Sequence, residues 1–408
     1  MTNRNLSRRN FVKCLGVAGA GSAVAAGRTF AQAPSPAPVV AAPAPAQVPQ
    51  RVFGKTGVKV SALALGGIFD IVSNQLTLQR ALDFGVTYWD TANSYNNGNS
   101  EKGIGLYLEK NPDIRKKLFI VTKTGGAPTA QHLDAKLEES LGRMKTDYVD
   151  LFFLHGIGSG SALTDDVKTW VEKTRTSGKI RFFGFSSHGN MPDGLQAAAK
   201  LGWIDGIMLR YDYRLMATDE MRAAMEAAAN AGIGLTAMKT QGGGPIKMDS
   251  EADLKLGGHF VKRGFTEQQA KLKALWENPQ IASICSQMPN VAILMSNVAA
   301  SLDKTALTAA DHHALHEHAA ATKGHYCAGC AAVCDAAVGN RAPVADVLRC
   351  LMYHHNYGDT QLARETFAGL PAAARAALPS LDCGDAEGAC PQGLPIGRLV
   401  REAVELFG

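Results

Sequence analysis

The sequence lacks the features that mark two common functional classes. Its net charge of +5 is spread over 408 residues without a block of Lys and Arg. Nucleic-acid-binding proteins concentrate basic residues on one face or segment, so nothing here suggests a nucleic-acid partner. No apolar run of the predicted mature chain is long enough to span a bilayer. Hydrophobic residues make up 46% and charged residues 19%, which predicts a globular chain with one large domain and a smaller second one.

The N-terminus has the composition of an export signal. The basic segment 7-SRRNFVK-13 precedes a weakly apolar run, and Ala31-Gln32-Ala33 is an A-x-A cleavage site. The pair Arg8-Arg9 resembles the twin-arginine pattern, although a chance pair on an ordinary secretory signal is the alternative. We therefore expect residues 1–33 to be a twin-arginine signal peptide and the protein to be exported to the periplasm. Residues 34–50 form a Pro/Ala-rich segment that predicts an extended linker.

Short apolar runs then alternate with helical patterns, which predicts parallel strands buried on both faces. The eight runs are 60–67, 87–92, 119–123, 149–155, 180–186, 206–212, 234–240 and 282–288. Eight strand–helix units in about 250 residues match the size of a (β/α)8 TIM barrel. An open doubly wound sheet is the rival, but it would carry a glycine fingerprint after its first strand, and 66-GGIFD-70 is not one. The sequence predicts an α/β fold, with the barrel over residues 51–320.

Polar side chains stand where the predicted strands end. In a barrel of this kind, catalytic residues lie at the C-terminal ends of the strands. The residues at these ends are Asp90, Lys123, His155, Ser186, Lys239 and Gln287, with Tyr95 shortly after Asp90. Each alone has a structural explanation, such as a helix cap or a buried histidine, but together they indicate an active site.

These motifs resemble the aldo-keto reductases. The similar stretches are 51-RVFGKTGVKVSALALGG-67, 89-WDTANSYNNGNSEKGIG-105, 121-VTK-123 and 154-LHG-156, and the resemblance covers Arg51 to Ala320. It places the family's catalytic Asp, Tyr, Lys and His on Asp90, Tyr95, Lys123 and His155. It implies an oxidoreductase that interconverts a small carbonyl or alcohol substrate with NADP or NAD.

The chemistry of these four side chains suits that reaction. Hydride transfer to a carbonyl leaves negative charge on oxygen, so a proton donor must stand beside it. A tyrosine titrates too high to donate readily at neutral pH. We expect Lys123 to lower the pKa of Tyr95, Asp90 to hold Lys123, and His155 to orient the carbonyl.

The cofactor side departs from the family pattern. Ser186-Ser187 stands where the family has a Ser-Asn pair, Met208 replaces a Gln, and the segment after the eighth strand has no Arg or Lys. The predicted cofactor-binding residues are Ser186, Ser187, Lys239, Gly243 and Asn297. We expect weaker or altered nicotinamide binding, with NADP and NAD both open, and export in the folded state would let a tightly bound cofactor travel with the protein. A barrel that has lost turnover and serves as a binding or docking protein is the alternative.

Cysteine is dense only in the last part of the chain. Cys327, Cys330 and Cys334 have cluster-like spacing, and Cys390 precedes a proline as the last cysteine of a ferredoxin motif does. Residues 321–408 resemble the ferredoxin-like extension of some aldo-keto reductases, which implies a mainly helical tail with one 4Fe-4S cluster and a possible redox partner protein. Disulfides or a structural zinc ion are the alternatives.

Overall fold

The structure is a computed structural model that describes residues 45–247 and 249–408. The predicted signal peptide and the linker up to residue 44 lie outside the described residues. Of the helices in the described ranges, none has the length and apolar character that a membrane crossing requires.

The described residues contain ten β-strands. Two of them, β1 (Gln50–Val52) and β2 (Lys59–Ser61), pair antiparallel as a hairpin. The others are β3 (Leu63–Gly66), β4 (Tyr88–Asp90), β5 (Phe119–Thr124), β6 (Val149–Leu154), β7 (Ile180–Ser187), β8 (Gly206–Arg210), β9 (Gly234–Met238) and β10 (Ile281–Gln287). These eight are parallel and form a closed barrel, in which β10 pairs with both β9 and β3. The predicted (β/α)8 barrel is confirmed.

Sixteen α-helices lie in the same described ranges. Those of the barrel are α1 (Gln75–Asp83), α2 (Asn99–Lys110), α3 (Ala130–Met144), α4 (Asp165–Thr176), α5 (Met191–Leu201), α6 (Asp219–Asn230), α7 (Glu251–Arg263), α8 (Glu267–Trp276) and α9 (Val291–Leu302). Helix α10 (Ala309–Ala321) leads into the tail, which contains α11 (Ala331–Ala337), α12 (Val344–His355), α13 (Thr360–Ala368), α14 (Ala372–Ala377), α15 (Gly384–Ala389) and α16 (Ile396–Phe407). The tail is helical, as expected.

The last residues of the predicted linker belong to the fold, which corrects the boundary at residue 50. Val48 is 3% exposed, and its N–H donates to the Phe84 carbonyl at 2.9 Å. Gln50 begins the hairpin that closes the lower end of the barrel. Phe53, which follows β1, is fully buried, and a Cβ on Gly234 would lie only 2.4 Å from its ring. The absence of a side chain at Gly234 therefore leaves room for the Phe53 ring, whose burial contributes roughly 1.5–3 kcal/mol to the free energy of unfolding.

The apolar core has an inner and an outer layer. The inner layer fills the barrel and includes Tyr88, Val121 and Phe153, while the outer layer between strands and helices includes Trp89 and Phe152. Successive strand residues point to opposite faces, so each buried strand contributes to both layers. This alternation decides which residues reach the interior at the upper end.

The tail has an apolar core of its own. Val347, Leu351, Leu399 and Val400 lie in it and are almost completely buried. Barrel and tail nevertheless pack as one compact unit over Pro45–Gly408. The tail lies at the upper end of the barrel, where the strands finish.

Candidate functional site

In three neighbouring strands, the residues that point into the barrel are apolar at the lower end and polar at the upper end. The inward positions of β4 continue from Tyr88 to Asp90, and those of β5 continue through Val121 to Lys123. His155 lies two residues beyond Phe153, whose side chain points inward from β6. The alternation that fills the lower barrel with apolar side chains therefore places a carboxylate, an amine and an imidazole at its upper end.

Asp90 and Lys123 form a buried ion pair. The Lys123 ammonium lies 2.6 Å and 2.7 Å from the two carboxylate oxygens of Asp90. The two side chains are 3% and 1% exposed. The Lys123 ammonium also donates to the Thr91 carbonyl at 2.8 Å and to the Tyr95 hydroxyl oxygen at 3.3 Å. All three ammonium hydrogens thus have acceptors, which is the condition for keeping a buried cation.

Tyr95 is brought to this pair by a tight turn after β4. Asn96 and Asn97 have φ angles of 48° and 52°, in the left-handed region that asparagine tolerates better than most residues. The turn folds the Tyr95 ring back so that Lys123 Nζ lies 4.7 Å from its centroid. Because Lys123 donates to the phenolic oxygen, the proton of Tyr95 remains available to a ligand.

His155 faces Tyr95 across the site. Their ring centroids are 5.6 Å apart at an interplanar angle of 76°. Burial, followed by the positive charges of Lys123, Arg349 and Lys239, holds the pKa of His155 well below its ordinary value. The imidazole is therefore neutral at pH 7 and can donate one N–H while bearing no charge.

The pKa of Tyr95 differs from the sequence-based expectation. Burial, and after it the negative charge of Asp90, raises this pKa well above its ordinary value. The expected lowering by Lys123 does not prevail, because Asp90 neutralises most of the lysine charge and the phenol is desolvated. The hydroxyl consequently keeps its proton at neutral pH, as a proton donor must.

The four side chains belong to one site, and three of them line a cavity of about 630 Å³ at the upper end of the barrel: Asp90, Tyr95 and His155. This volume is in the range of small-molecule sites. The tail supplies the opposite wall, with Arg349 and Tyr353 from α12 and residues 362–371 around α13. The site is thus enclosed by barrel and tail together.

The predicted cofactor-binding residues fall into different places. Lys239 lines the cavity, and the Ser186 hydroxyl accepts from the Gly156 N–H at 3.0 Å, directly after His155. The Ser187 hydroxyl donates to the Gly189 carbonyl at 2.8 Å, and the Asn297 amide donates to the Ser286 hydroxyl at 3.0 Å. Gly243 accepts a hydrogen bond from Arg210. The structure therefore brings Lys239, and indirectly Ser186, to the site, but not Ser187, Gly243 or Asn297.

The tail touches the two loops that follow β7 and β9. A Cβ on Gly244 would lie 1.9 Å from the His325 carbonyl oxygen, and one on Gly189 would lie 3.2 Å from that of Gly329. The Asn356 amide donates to the Gly244 carbonyl. These loops are closed to a ligand as long as the tail is docked on them.

The four predicted cluster ligands come together in the tail. Cys327, Cys330, Cys334 and Cys390 line one small cavity, together with apolar side chains that include Leu348. Every described cysteine is a free thiol. In the described residues no group of three or more His, Cys, Asp or Glu is arranged to hold a metal ion. What the structure establishes is the gathering of the four thiols.

The electrostatics of these thiols reflect their closeness. Burial, and next the neighbouring sulfurs of Cys327 and Cys390, raises the pKa of Cys330 to about 11. Burial also raises the pKa of Cys327. Left alone, these two thiols are protonated at neutral pH, and only a positively charged centre would hold them as thiolates.

The sequence analysis missed several residues of the site. Cys285 belongs to the inner core of the barrel and also lines the cavity beside Asp90, a position that was given no role. Arg349, Tyr353 and Tyr357 also line the cavity and were given no role. Arg349 and Tyr353 are four residues apart on one face of α12, and this spacing is the signal that could have singled them out; Tyr357 lies in the turn after the helix.

Comparisons with known proteins agree with this fold. An Escherichia coli L-glyceraldehyde 3-phosphate reductase is 29% identical over 173 residues, which cover 38% of this chain and 49% of that protein. The chain thus spans about half the length of this relative and of an aldo-keto reductase of Gibberella moniliformis that it also matches. An uncharacterized Bacillus subtilis oxidoreductase, YqkF, is 24% identical over 66% of this chain and 96% of its own length.

A solved structure has the same barrel. The holo form of an aldo-keto reductase from Bacillus halodurans superimposes with a TM-score of 0.56 at 22% identity, covering 67% of this chain and 96% of that one. The profile of the Aldo/keto reductase family matches residues 66–320, which is more than half of the chain. The chain therefore belongs to the aldo/keto reductase family.

Proposed function

We propose that the protein is an oxidoreductase that interconverts a small carbonyl compound and its alcohol with a nicotinamide cofactor. The observation that carries this proposal is the buried network of Asp90, Lys123 and Tyr95 beside the neutral His155, in one cavity. Names of relatives such as L-glyceraldehyde 3-phosphate reductase and L-galactose dehydrogenase support the reaction class.

The side chains of the site divide the work of carbonyl reduction. The carbonyl oxygen accepts hydrogen bonds from the Tyr95 hydroxyl and from His155, which polarises the bond and orients it. A nicotinamide bound beside them supplies the hydride. Tyr95 gives its proton to the developing alkoxide, and Lys123 then stabilises the phenolate that remains. Asp90 keeps the lysine in place.

The cavity suits the nicotinamide end of a dinucleotide better than the rest of it. Its volume of about 630 Å³, lined by Tyr95 and His155 among others, leaves room for a ring and a substrate. The loops that contain Ser187 and Gly243 are in contact with the tail or engaged with their own backbone. The choice between NADP and NAD stays open.

Replacing Tyr95 by phenylalanine tests the catalytic proposal. The variant keeps the ring packed against His155 but loses the donated proton, so carbonyl reduction should fall by about a hundredfold or more. The measurement is NADPH oxidation with a panel of aldehydes and ketones. Tyr107→Phe is the control, because it removes a hydroxyl that donates to Gln79 at 2.7 Å and does not line the cavity. Activity that survives in Tyr95→Phe would remove Tyr95 from the donor role.

We further propose that the tail holds one 4Fe-4S cluster on Cys327, Cys330, Cys334 and Cys390. The common cavity lined by the four cysteines supports this ligand set. Such a cluster supplies one-electron chemistry and would need a redox partner protein if it exchanges electrons. It can equally serve to hold the tail on the barrel.

Iron content tests the ligand set. Cys390→Ala should lose the cluster about as completely as Cys330→Ala, whereas Cys350→Ala should retain it. Cys350 is a buried tail cysteine outside the four-sulfur cavity, which makes it the matched control. Iron analysis and the visible spectrum of anaerobically purified protein are the readouts. Zinc in place of iron, or a disulfide between any two of the four, would reject the cluster.

We also propose export to the periplasm by the twin-arginine route. The segment 7-SRRNFVK-13 and the A-x-A site at Ala31–Ala33 support it. Export in the folded state would allow a tightly bound cofactor to travel with the protein. Replacing Arg8 and Arg9 by lysine should hold the protein in the cytoplasm, as cell fractionation would show. Unchanged export would indicate an ordinary secretory signal.

A second candidate function is that of a binding or docking protein, built on a barrel that no longer catalyses a reaction. The contacts of the tail with Gly189 and Gly244, and Met208 in the place of a family glutamine, favour this candidate. Equilibrium binding of NADPH to the purified protein separates the two. Binding that Tyr95→Phe leaves intact supports the enzyme, and absence of any nucleotide binding supports the docking protein.

A further inference from the structure

The cavity has a second polar region apart from the four catalytic side chains. Lys239 lies directly after β9 with a φ angle of 57°, in the left-handed region that is unfavourable for a residue other than glycine. Its ammonium lies 4.4 Å and 4.9 Å from the ring centroids of Tyr353 and Tyr357, both from the tail. The strained backbone at Lys239 thus directs its side chain into the cavity, where the ammonium lies against two tyrosine rings of the tail.

Several nitrogen donors around this lysine have no acceptor. In the described part of the chain, Lys239 forms no salt bridge; its ammonium lies against the two aromatic faces, with the Tyr353 hydroxyl as a neutral partner. The Nε of Arg349 and the Nδ1 of His188, which is a donor in the Nδ1–H tautomer, are buried and lack a hydrogen-bond partner within the described ranges. All three residues line the same cavity. Buried donors without acceptors are costly, so their concentration indicates a ligand rich in oxygen.

The charge around these donors favours an anion. Arg349 is paired with Asp346 at 2.8 Å, and Lys123 is paired with Asp90. Glu365, the other carboxylate on this wall, accepts from its own helix neighbour Gln361 at 2.8 Å. Lys239 forms no ion pair within the described residues, so its ammonium is a charge with which an anionic group in the cavity can pair directly.

We propose that Lys239 and Arg349, with His188 beside them, form an anion subsite for the substrate. The ligand is a carbonyl compound that also carries a carboxylate or a phosphate group. Its anionic end binds between barrel and tail, and its carbonyl reaches Tyr95 and His155. This inference rests on the proposed function for the identity of the ligand as a substrate, but the subsite itself is defined by binding alone.

Calorimetric titration of the full-length protein with inorganic phosphate and with malonate tests the subsite. Both probes lack a reactive carbonyl, so no turnover is needed and a failure of the proposed reaction would not affect the result. Lys239→Gln and Arg349→Gln should each weaken binding of the preferred probe about tenfold or more. Lys136→Met is the control, because Lys136 lines the same cavity but is paired with Glu139 at 2.8 Å.

The outcomes separate the possible ligands. Loss of malonate binding alone points to a carboxylate substrate, and loss of phosphate binding alone points to a phosphorylated one. Competition between NADPH and the probe would assign the subsite to the cofactor and overturn its assignment to the substrate. Unchanged affinity for both probes in the two glutamine variants, or no binding of either probe, would overturn the subsite itself.

A kinetic comparison extends the test to turnover. Glyoxylate and glycolaldehyde are aldehydes of similar size, of which only glyoxylate is an anion. Lys239→Gln should lower kcat/KM about tenfold or more for glyoxylate and much less for glycolaldehyde, chiefly through KM. An equal loss for both aldehydes would show a merely structural role for Lys239.

Discussion

Replacing Lys123 by methionine should destabilise the protein far more than the loss of a surface charge would. Asp90 and Lys123 are 3% and 1% exposed, so water cannot compensate the partner that remains. Breaking a buried ion pair from one side costs roughly 3–5 kcal/mol. Burial raises the pKa of Asp90, and Lys123 is the main influence that opposes this rise. Without the lysine, the pKa of this carboxyl rises further and the neutral form becomes easier to reach, which limits the loss to the lower end of that range.

Urea unfolding, followed by circular dichroism, measures this effect. Lys136→Met is the control, because Lys136 and Glu139 are 37% and 34% exposed and such a pair contributes about 0–1 kcal/mol. The double variant Asp90→Asn/Lys123→Met should recover much of the loss, since no unpaired charge remains. A raised carboxyl pKa in the folded state means that the deficit of Lys123→Met shrinks as pH falls. A loss below 1 kcal/mol, or a double variant no more stable than the single one, would refute the reasoning.

Two further expectations concern pH and docking of the tail. The pKa of His155 lies well below 6.5 and that of Tyr95 well above 10.0. The value of kcat/KM for carbonyl reduction should therefore change little between pH 6.5 and pH 10.0. A rise or fall of kcat/KM with pH inside this range would contradict the assignment of the two residues. Gly244→Ala should loosen the tail and raise hydrogen exchange in residues 323–331. Gly142→Ala, where a Cβ meets nothing within 4 Å, should leave that exchange unchanged, and equal protection in both variants would show that the tail tolerates the added methyl group.

The barrel could be predicted from sequence because its signals are local. Each buried strand is a short apolar run, and the buried positions Leu133, Leu137, Leu141 and Met144 of α3 recur at helical spacing after its Thr129 cap. The positions of Asp90, Lys123 and His155 at strand ends also follow from local register. The hairpin that begins at Gln50 was not predicted, because it follows a Pro/Ala-rich segment and is fixed by contacts with distant strands.

The shared cavity could not be predicted in the same way. Arg349 and Tyr353 are more than a hundred residues from Lys239 along the chain, and no periodicity reports that a tail helix lies over a barrel. The direction of the pKa shift of Tyr95 was predicted wrongly for a related reason. Sequence shows the neighbouring charges, whereas desolvation depends on everything packed around the group.

The tail packs closely against Gly189 and Gly244, so the sequences of the barrel and the tail are expected to evolve together. At Gly244 a methyl group would meet the His325 carbonyl at 1.9 Å, so this position is constrained by a segment eighty residues away. A relative without the tail has no such constraint and is free to carry larger side chains there. Small residues at these two loop positions should therefore accompany the tail through the lineage, and a chain that lost one would be expected to drift at the other.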